Sequence, residues 1–195
     1  MISVDNLDKK SDSEIVGLVL ADQENFSHIV KRYKTKIFAY IRRISNFSEE
    51  EAEDVLQNIF IKVYQNINDF DSDLKFSSWI YRIAHNEVID NFRKNKARPQ
   101  TSSFEIDDDR IMILADEFNI EKEIDRGKTK EVIGDAMNKL DIKFKDILVL
   151  KFFEEKDYNE ISDIIKKPKG TVASRISKAK EELKKALNEE RHKII

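Results

Sequence analysis

Apolar residues recur three and four positions apart along most of this chain, the period of an amphipathic helix rather than a strand. Ser11 and Glu14 match a capping box, with Ile15, Val16, Leu18 and Val19 behind them as a short first helix. The spacing predicts a second helix over 25–44, with Phe26, Ile29, Val30, Tyr33, Ile37, Tyr40, Ile41 and Ile44 inward. Ser48 and Glu51 cap a third over 49–67, whose core face is Ala52, Val55, Leu56, Ile59, Phe60, Val63 and Ile67. Asp54, Gln57, Asn58 and Ile61 form a second face of that helix, which by spacing alone reads as a solvated face with one stray Ile or as a docking patch with an apolar centre and polar rim. A turn-forming stretch over 69–75 precedes a fourth helix over 76–95, striped by Phe76, Trp79, Ile80, Ile83, Ala84, Val88 and Phe92. It leaves the core as a basic segment, Arg93, Lys94, Lys96 and Arg98.

The pattern weakens over 99–120, which is acidic through Glu105, Asp107, Asp108, Asp109, Asp116 and Glu117 and reads as a linker or as short helical pieces. Periodicity resumes near Glu121: Val132, Ile133, Ala136, Met137 and Leu140 define one helix, and Asp141 can cap another carrying Ile147, Leu148 and Phe152. Asp157 with Glu160 then opens a short helix bearing Ile161, Ile164 and Ile165. Lys167-Pro168-Lys169-Gly170 should stop it, since proline lacks an amide donor and disfavours helix in its predecessor. A last helix, expected from Thr171, buries Val172, Ile176, Ala179, Leu183 and Ala186 and turns Thr171, Ser174, Arg175 and Lys178 outward. Helix, tight turn and a second helix with small polar and cationic residues at its start suit reading of a DNA major groove. The expected fold is all-α: two small helical domains, 12–98 and 121–190, joined by an acidic linker over 99–120.

Charge sharpens this picture. The chain has a formal net charge of −3, yet between 158 and 187 eight Lys or Arg stand against four Asp or Glu. Cations gathered at one end are the footprint of a phosphate-binding surface. Four glycines and two prolines leave little punctuation for a many-stranded fold, and the absence of cysteine excludes disulfides and thiolate zinc sites. No apolar run approaches the ~20 residues that span a bilayer, and the N-terminal stretch lacks a signal peptide's apolar core, so a cytosolic location is expected.

Tyr158-x-Glu160-Ile161, Pro168-x-Gly170-Thr171-Val172, Ser174-Arg175-Ile176 and Ala179 resemble the promoter-reading domain of bacterial sigma factors. The likeness is to the extracytoplasmic-function group of the sigma-70 family. Ala173 stands where that family commonly has lysine, and Lys166 where a turn glycine is frequent. The resemblance implies minus-thirty-five binding by Lys169, Thr171, Ala173, Ser174, Arg175 and Lys178. Asp54-x-x-Gln57-x-x-Phe60 lies where the family grips the clamp helices of the polymerase β′ subunit, which implies core binding by Asp54, Gln57, Asn58 and Ile61; Asn58 replaces a frequent acid. Phe76-x-x-Trp79-Ile80-x-x-Ile83-Ala84-x-Asn86 and Asp90-x-x-Arg93 resemble the minus-ten binding and melting element. That implies roles for Asp71, Ser72, Lys75, Phe76, Ser77, Trp79, Asn86, Arg93 and Lys94, with a base pocket over 69–77. For Trp79 the spacing itself favours a core anchor. The partners implied are core RNA polymerase (the β′ clamp helices and the β flap), promoter DNA as duplex and as non-template single strand, and an anti-sigma factor, which can hold the protein at the inner membrane face.

Chemistry of other kinds is not in view. His28, His85 and His192 are far apart without metal-like spacing, and no phosphate loop or nucleophile elbow occurs. Glu154 and Glu155 read as exposed acids without a partner base. No catalysis, cofactor, metal or small-molecule substrate is expected. The competing readings are a stand-alone helix-turn-helix regulator with ligand-sensing or dimerising N-terminal helices, and a helical scaffold with incidental charge.

Overall fold

The structure is a computed structural model that describes residues 10–94, 108–118 and 126–191. The basic residues Lys96 and Arg98, the acidic stretch through Asp107, Glu121 and His192 lie outside the described residues, as do the side chains of Asp108 and Asp109. Among the described residues the regular structure is entirely helical. None of those helices is long and apolar enough to cross a membrane.

Helix α1, Asp12–Ala21, carries both halves of the Ser11–Glu14 capping box and buries Ile15, Val16 and Val19. Asp12 at its start meets Arg32 at 2.9 Å and accepts from the Tyr33 hydroxyl, which ties α1 to helix α2, Phe26–Ile44. In α2 the buried residues are Ile29, Tyr33, Ile37, Tyr40, Ile41 and Ile44. Helix α3, Glu49–Asn66, has the full Ser48–Glu51 capping box and buries its expected stripe. A 3-10 turn, Ile67–Asp69, extends it and takes Asp69 out of the expected loop.

Helix α4, Phe76–Lys94, is buried over more than one face. Phe76, Ile80, Ala84 and Val88 follow the expected stripe, but Ser78 and Tyr81 are buried as well. With His85 they form a second row at spacings of three and four, and this row faces the C-terminal helices.

Helix α5, Asp108–Glu117, falls inside the acidic stretch, so part of the linker is helical and docked. Leu114 and Ala115 are buried, and Glu117 pairs with Lys180. Helix α6, Arg126–Asn138, contributes Val132, Ile133, Ala136 and Met137 to the core. Helix α7, Ile142–Leu148, is capped by Asp141, which accepts from the Lys143 amide at 3.0 Å. It continues as a π-helical turn, Val149–Phe153. Helices α8, Tyr158–Ile165, and α9, Lys169–Arg191, complete the second helical domain. The two domains pack on each other, with α8 lying against α4 and α7 and the π turn against α2.

Candidate functional site

Asp54, Gln57, Asn58 and Ile61 are all exposed on one face of α3, because the opposite face is held in the core by Val55, Leu56, Ile59 and Phe60. Ile61 keeps 52% of its surface exposed, at the centre of this otherwise polar face. Tyr64, one turn further on, is a neighbour that sequence reasoning missed. It is 40% exposed, donates its hydroxyl to Gln23 at 2.6 Å and sets its ring edge against Phe26. The i, i+3 spacing of Ile61 and Tyr64 was the available signal.

The stretch before α4 is ordered by its own side chains. Asp71 accepts from the Asp73 amide at 3.0 Å, and its carbonyl accepts from Leu74. Phe70 closes against both Phe76 and Trp79, with centroids 5.3 and 5.4 Å away. Phe76 is consequently 3% and Trp79 6% exposed. Phe76 is the centre of an aromatic cluster, and burying three rings together stabilises the turn. Asp71, Ser72, Lys75, Asn86, Arg93 and Lys94 are exposed and Ser77 half-buried. The cavity of this region, about 300 Å³, lies between α3 and α4 and is lined by Lys62, Asn66, Asp69, Trp79, Ile83 and Asn86. It shares Asp69 with the expected 69–77 pocket and otherwise stands beside it.

At the helix-turn-helix, the Asp157 carboxylate accepts from the Asn159 and Glu160 amides at 2.7 and 2.9 Å, while Glu160 reaches back to the Asp157 amide at 3.0 Å. These amide bonds hold the Asp157 carboxyl below its ordinary pKa. Lys166 ends α8 in the left-handed conformation, φ 51° and ψ 51°. The Pro168 carbonyl then accepts from Thr171 and Val172, so α9 begins at Lys169, two residues before the expected start at Thr171. Proline is well suited to the entry of a helix, where its missing amide costs nothing. Lys169 and Gly170 thereby join the first turn. Thr171, Ala173, Ser174 and Lys178 are exposed, but Arg175 is half-buried toward the first domain.

The largest departure from expectation is a polar seam between the domains. Glu154 is not an exposed acid: its side chain is 8% exposed, pairs with Arg43 at 2.9 Å and accepts from the Tyr81 hydroxyl. The π turn before it shifts the backbone by one residue per turn and so turns this side chain inward. Asp146, only 2% exposed, accepts from Tyr40 at 2.6 Å and lies 3.0 Å from His85 Nδ1. Burial disfavours protonated His85, but the adjacent Asp146 outweighs it and raises the pKa above the ordinary histidine value. Arg175 and Arg93 are near enough to oppose that rise. Lys145 Nζ reaches Asn46 at 3.4 Å and Asn138 at 3.1 Å, and burial lowers its pKa to about 8. Beside the seam a cleft of about 620 Å³ contains Arg32, Arg43 and Arg110, each already paired with an acid of the chain.

Comparison with known proteins matches both halves. Residues 29–98 match Sigma-70 region 2, and residues 130–183 match Sigma-70, region 4. The chain is 36% identical over 172 residues to the ECF RNA polymerase sigma factor SigW of Bacillus subtilis, covering 86% of this chain and 91% of that protein. It is 31% identical over 186 residues to the RNA polymerase sigma-H factor of Pseudomonas aeruginosa, covering 93% and 96%. Among solved structures the fold is similar to CnrH in complex with the cytosolic domain of CnrY, with a TM-score of 0.66, 20% identity and coverage of 92% of this chain and 98% of that one. It is also similar to the Bartonella quintana sigma factor RpoE in complex with the anti-sigma factor NepR, with a TM-score of 0.63, 17% identity and coverage of 85% and 98%. A helical domain with an aromatic-cored α4 and a second domain ending in a helix-turn-helix thus occur in one chain that matches both regions, and the chain belongs to the sigma-70 family as an extracytoplasmic-function sigma factor, a transcription initiation factor.

Proposed function

We propose that this sigma factor docks on the β′ clamp helices of core polymerase through Asp54, Gln57, Asn58 and Ile61, with Tyr64 at the edge of the patch. The observation that carries this reading is Ile61, an apolar side chain half in water at the centre of a polar face. The minus-ten element falls to Asp71, Ser72, Lys75, Ser77, Asn86, Arg93 and Lys94, with the α3–α4 cavity receiving an unstacked base. Asp69, Asn66 and Asn86 supply hydrogen-bonding groups there, and Lys62 a cation. Phe76 and Trp79 support that cavity from beneath.

The minus-thirty-five element falls to the first turns of α9. Thr171, Ala173, Ser174 and Arg175 are placed for base edges, and Lys169 and Lys178 for phosphates. In this reading residues 12–98 form the first domain, 99–120 the linker and 121–190 the second domain, which also meets the β flap. Catalysis belongs to the polymerase. The protein works in the cytoplasm, and an anti-sigma factor sequesters it, in one arrangement at the inner membrane face. The solved complexes of CnrH with a cytosolic domain and of RpoE with an anti-sigma factor support that partner class.

The test is gel filtration with purified core polymerase followed by run-off transcription across genomic DNA. Co-elution and discrete start sites are expected. Tight binding of duplex by the free chain, with no association with core, would instead identify a stand-alone regulator.

A further inference from the structure

No polymerase contact proposed above uses the cleft beside the seam, and of its lining only Ser77 has been given a promoter role. Its volume, about 620 Å³, is that of a small-molecule site. One wall is a single stripe of α2, where Arg32, Lys36, Ala39 and Arg43 recur at spacings of four, three and four. Three cations therefore line up on it around one small side chain. Lys10 joins them from the entry to α1, Arg110 from α5 and Lys156 from the loop after the π turn. The acids of the lining are Asp12, Glu154 and Glu155.

These acids take up the arginines and leave the lysines over. Asp12 pairs with Arg32, Glu154 with Arg43 and Glu155 with Arg110. Lys36 is exposed and makes no ion pair among the described residues. Lys10 reaches only Glu14, an exposed acid 3.7 Å away. Lys156 has Glu160 at 3.8 Å, but Lys75 shares that carboxylate at 3.4 Å. Burial lowers the pKa of Lys156, and the charges of Lys36 and Lys75 push the same way, against Glu160 and Glu154. Arg43 Nε is a buried donor with no acceptor among the described residues. Unbalanced positive charge thus converges on one concavity in a chain whose net charge is −3, and low-dielectric walls strengthen its field there.

We propose that this cleft binds a short oligophosphate, inorganic or carried on a nucleotide, with Lys36, Lys156 and Lys10 as its principal counter-charges. Lysine serves a phosphate as a point charge, and an arginine fork can add a second donor edge. Thr35 and Ser77 bring hydroxyl donors to the same lining. Lys36 and Arg43 are seven residues apart, about 10 Å along the helix axis, which favours a chain of phosphates over a single one. The site is independent of the polymerase and promoter contacts proposed above.

The test is isothermal titration calorimetry of the full chain with inorganic triphosphate, ATP and GTP in turn. Salt at about 0.1 M screens attraction to scattered surface charges. One saturable site is expected. Lys36→Gln and Lys156→Gln should each weaken it about tenfold or more, as loss of one charge-assisted hydrogen bond implies, while Lys36→Arg retains it. Lys36 is exposed, so its exchange probes the site without disturbing the core. Lys31→Gln with Lys184→Gln, exposed positions outside the lining, removes two charges and should leave affinity unchanged. Equal affinity for all three probes would make the phosphates the whole ligand, and tighter binding of a nucleotide would add its base or sugar; either upholds the site. Absence of saturable binding by any probe overturns it. So does binding that the two cleft variants leave unchanged, or that the outlying pair weakens as much.

Discussion

Lys166 holds a backbone conformation that a side chain disfavours. Its Cβ is crowded at φ 51°, a strain of about 1–2 kcal/mol that glycine escapes. The chain keeps it because the amide there closes α8 onto the Ser162 carbonyl and the next residue starts the turn into α9. Its side chain is exposed. Lys166→Gly should therefore stabilise the fold by about 1 kcal/mol, part of the strain being offset by glycine's greater freedom when unfolded. The check is urea denaturation: the midpoint should rise with an unchanged slope. A lower midpoint would mean that the lysine makes contacts worth more than the strain.

At the scale of one helix, α3 shows how two faces serve different ends. Val55, Leu56, Ile59, Phe60 and Val63 hold it in the core, and the polar face with Ile61 stays exposed, the face proposed above for core polymerase. Ile61→Arg should leave folding intact, since half of that side chain is already in water. On docking it would place an unpaired charge at the centre of the patch, a change that costs about 3–5 kcal/mol where such charges become buried. Titration against core polymerase, beside a circular dichroism spectrum, measures both effects. Undiminished affinity would remove this face from the interface.

For the whole molecule, Lys145 links stability to pH. Its ammonium is buried where α7 meets Asn46 of the first domain, and burial brings its pKa down to about 8 from an ordinary value near 10.5. Between those values the unfolded chain holds a proton that the folded chain has released, so stability rises with pH there. Below pH 8 both states are charged and the full cost of burying the ammonium remains. The effect approaches ~1.4 kcal/mol per pH unit inside the window. Lys145→Met removes it, so thermal melts of both proteins from pH 7.5 to 9.5 should show the unaltered chain gaining on the variant as pH rises. A constant difference would show that Lys145 does not titrate with folding.

Local pattern alone determined the capped starts of α1, α3 and α8 and the main buried stripe of α2, α3 and α9. The Ser11, Ser48 and Asp157 caps and the stripes of α2, α3 and α9 depend on residues three or four apart, and a linear reading contains that information. Asp54 and Gln57 were legible as exposed residues through their place opposite the α3 stripe, whereas Arg175, expected outward, is half-buried. Only tertiary structure decided which polar residues would be buried. Tyr40 meets Asp146 across 106 positions and Arg43 meets Glu154 across 111, separations at which no local period carries a signal. The second row of α4, buried Ser78 and Tyr81 with half-buried His85, looks like a solvated face until another domain lies on it. Glu154 looked exposed because nothing in its neighbours announces the π turn that redirects it. Helix docking is decided by the sum of contacts between distant elements, and a charge is buried where that sum supplies its partners.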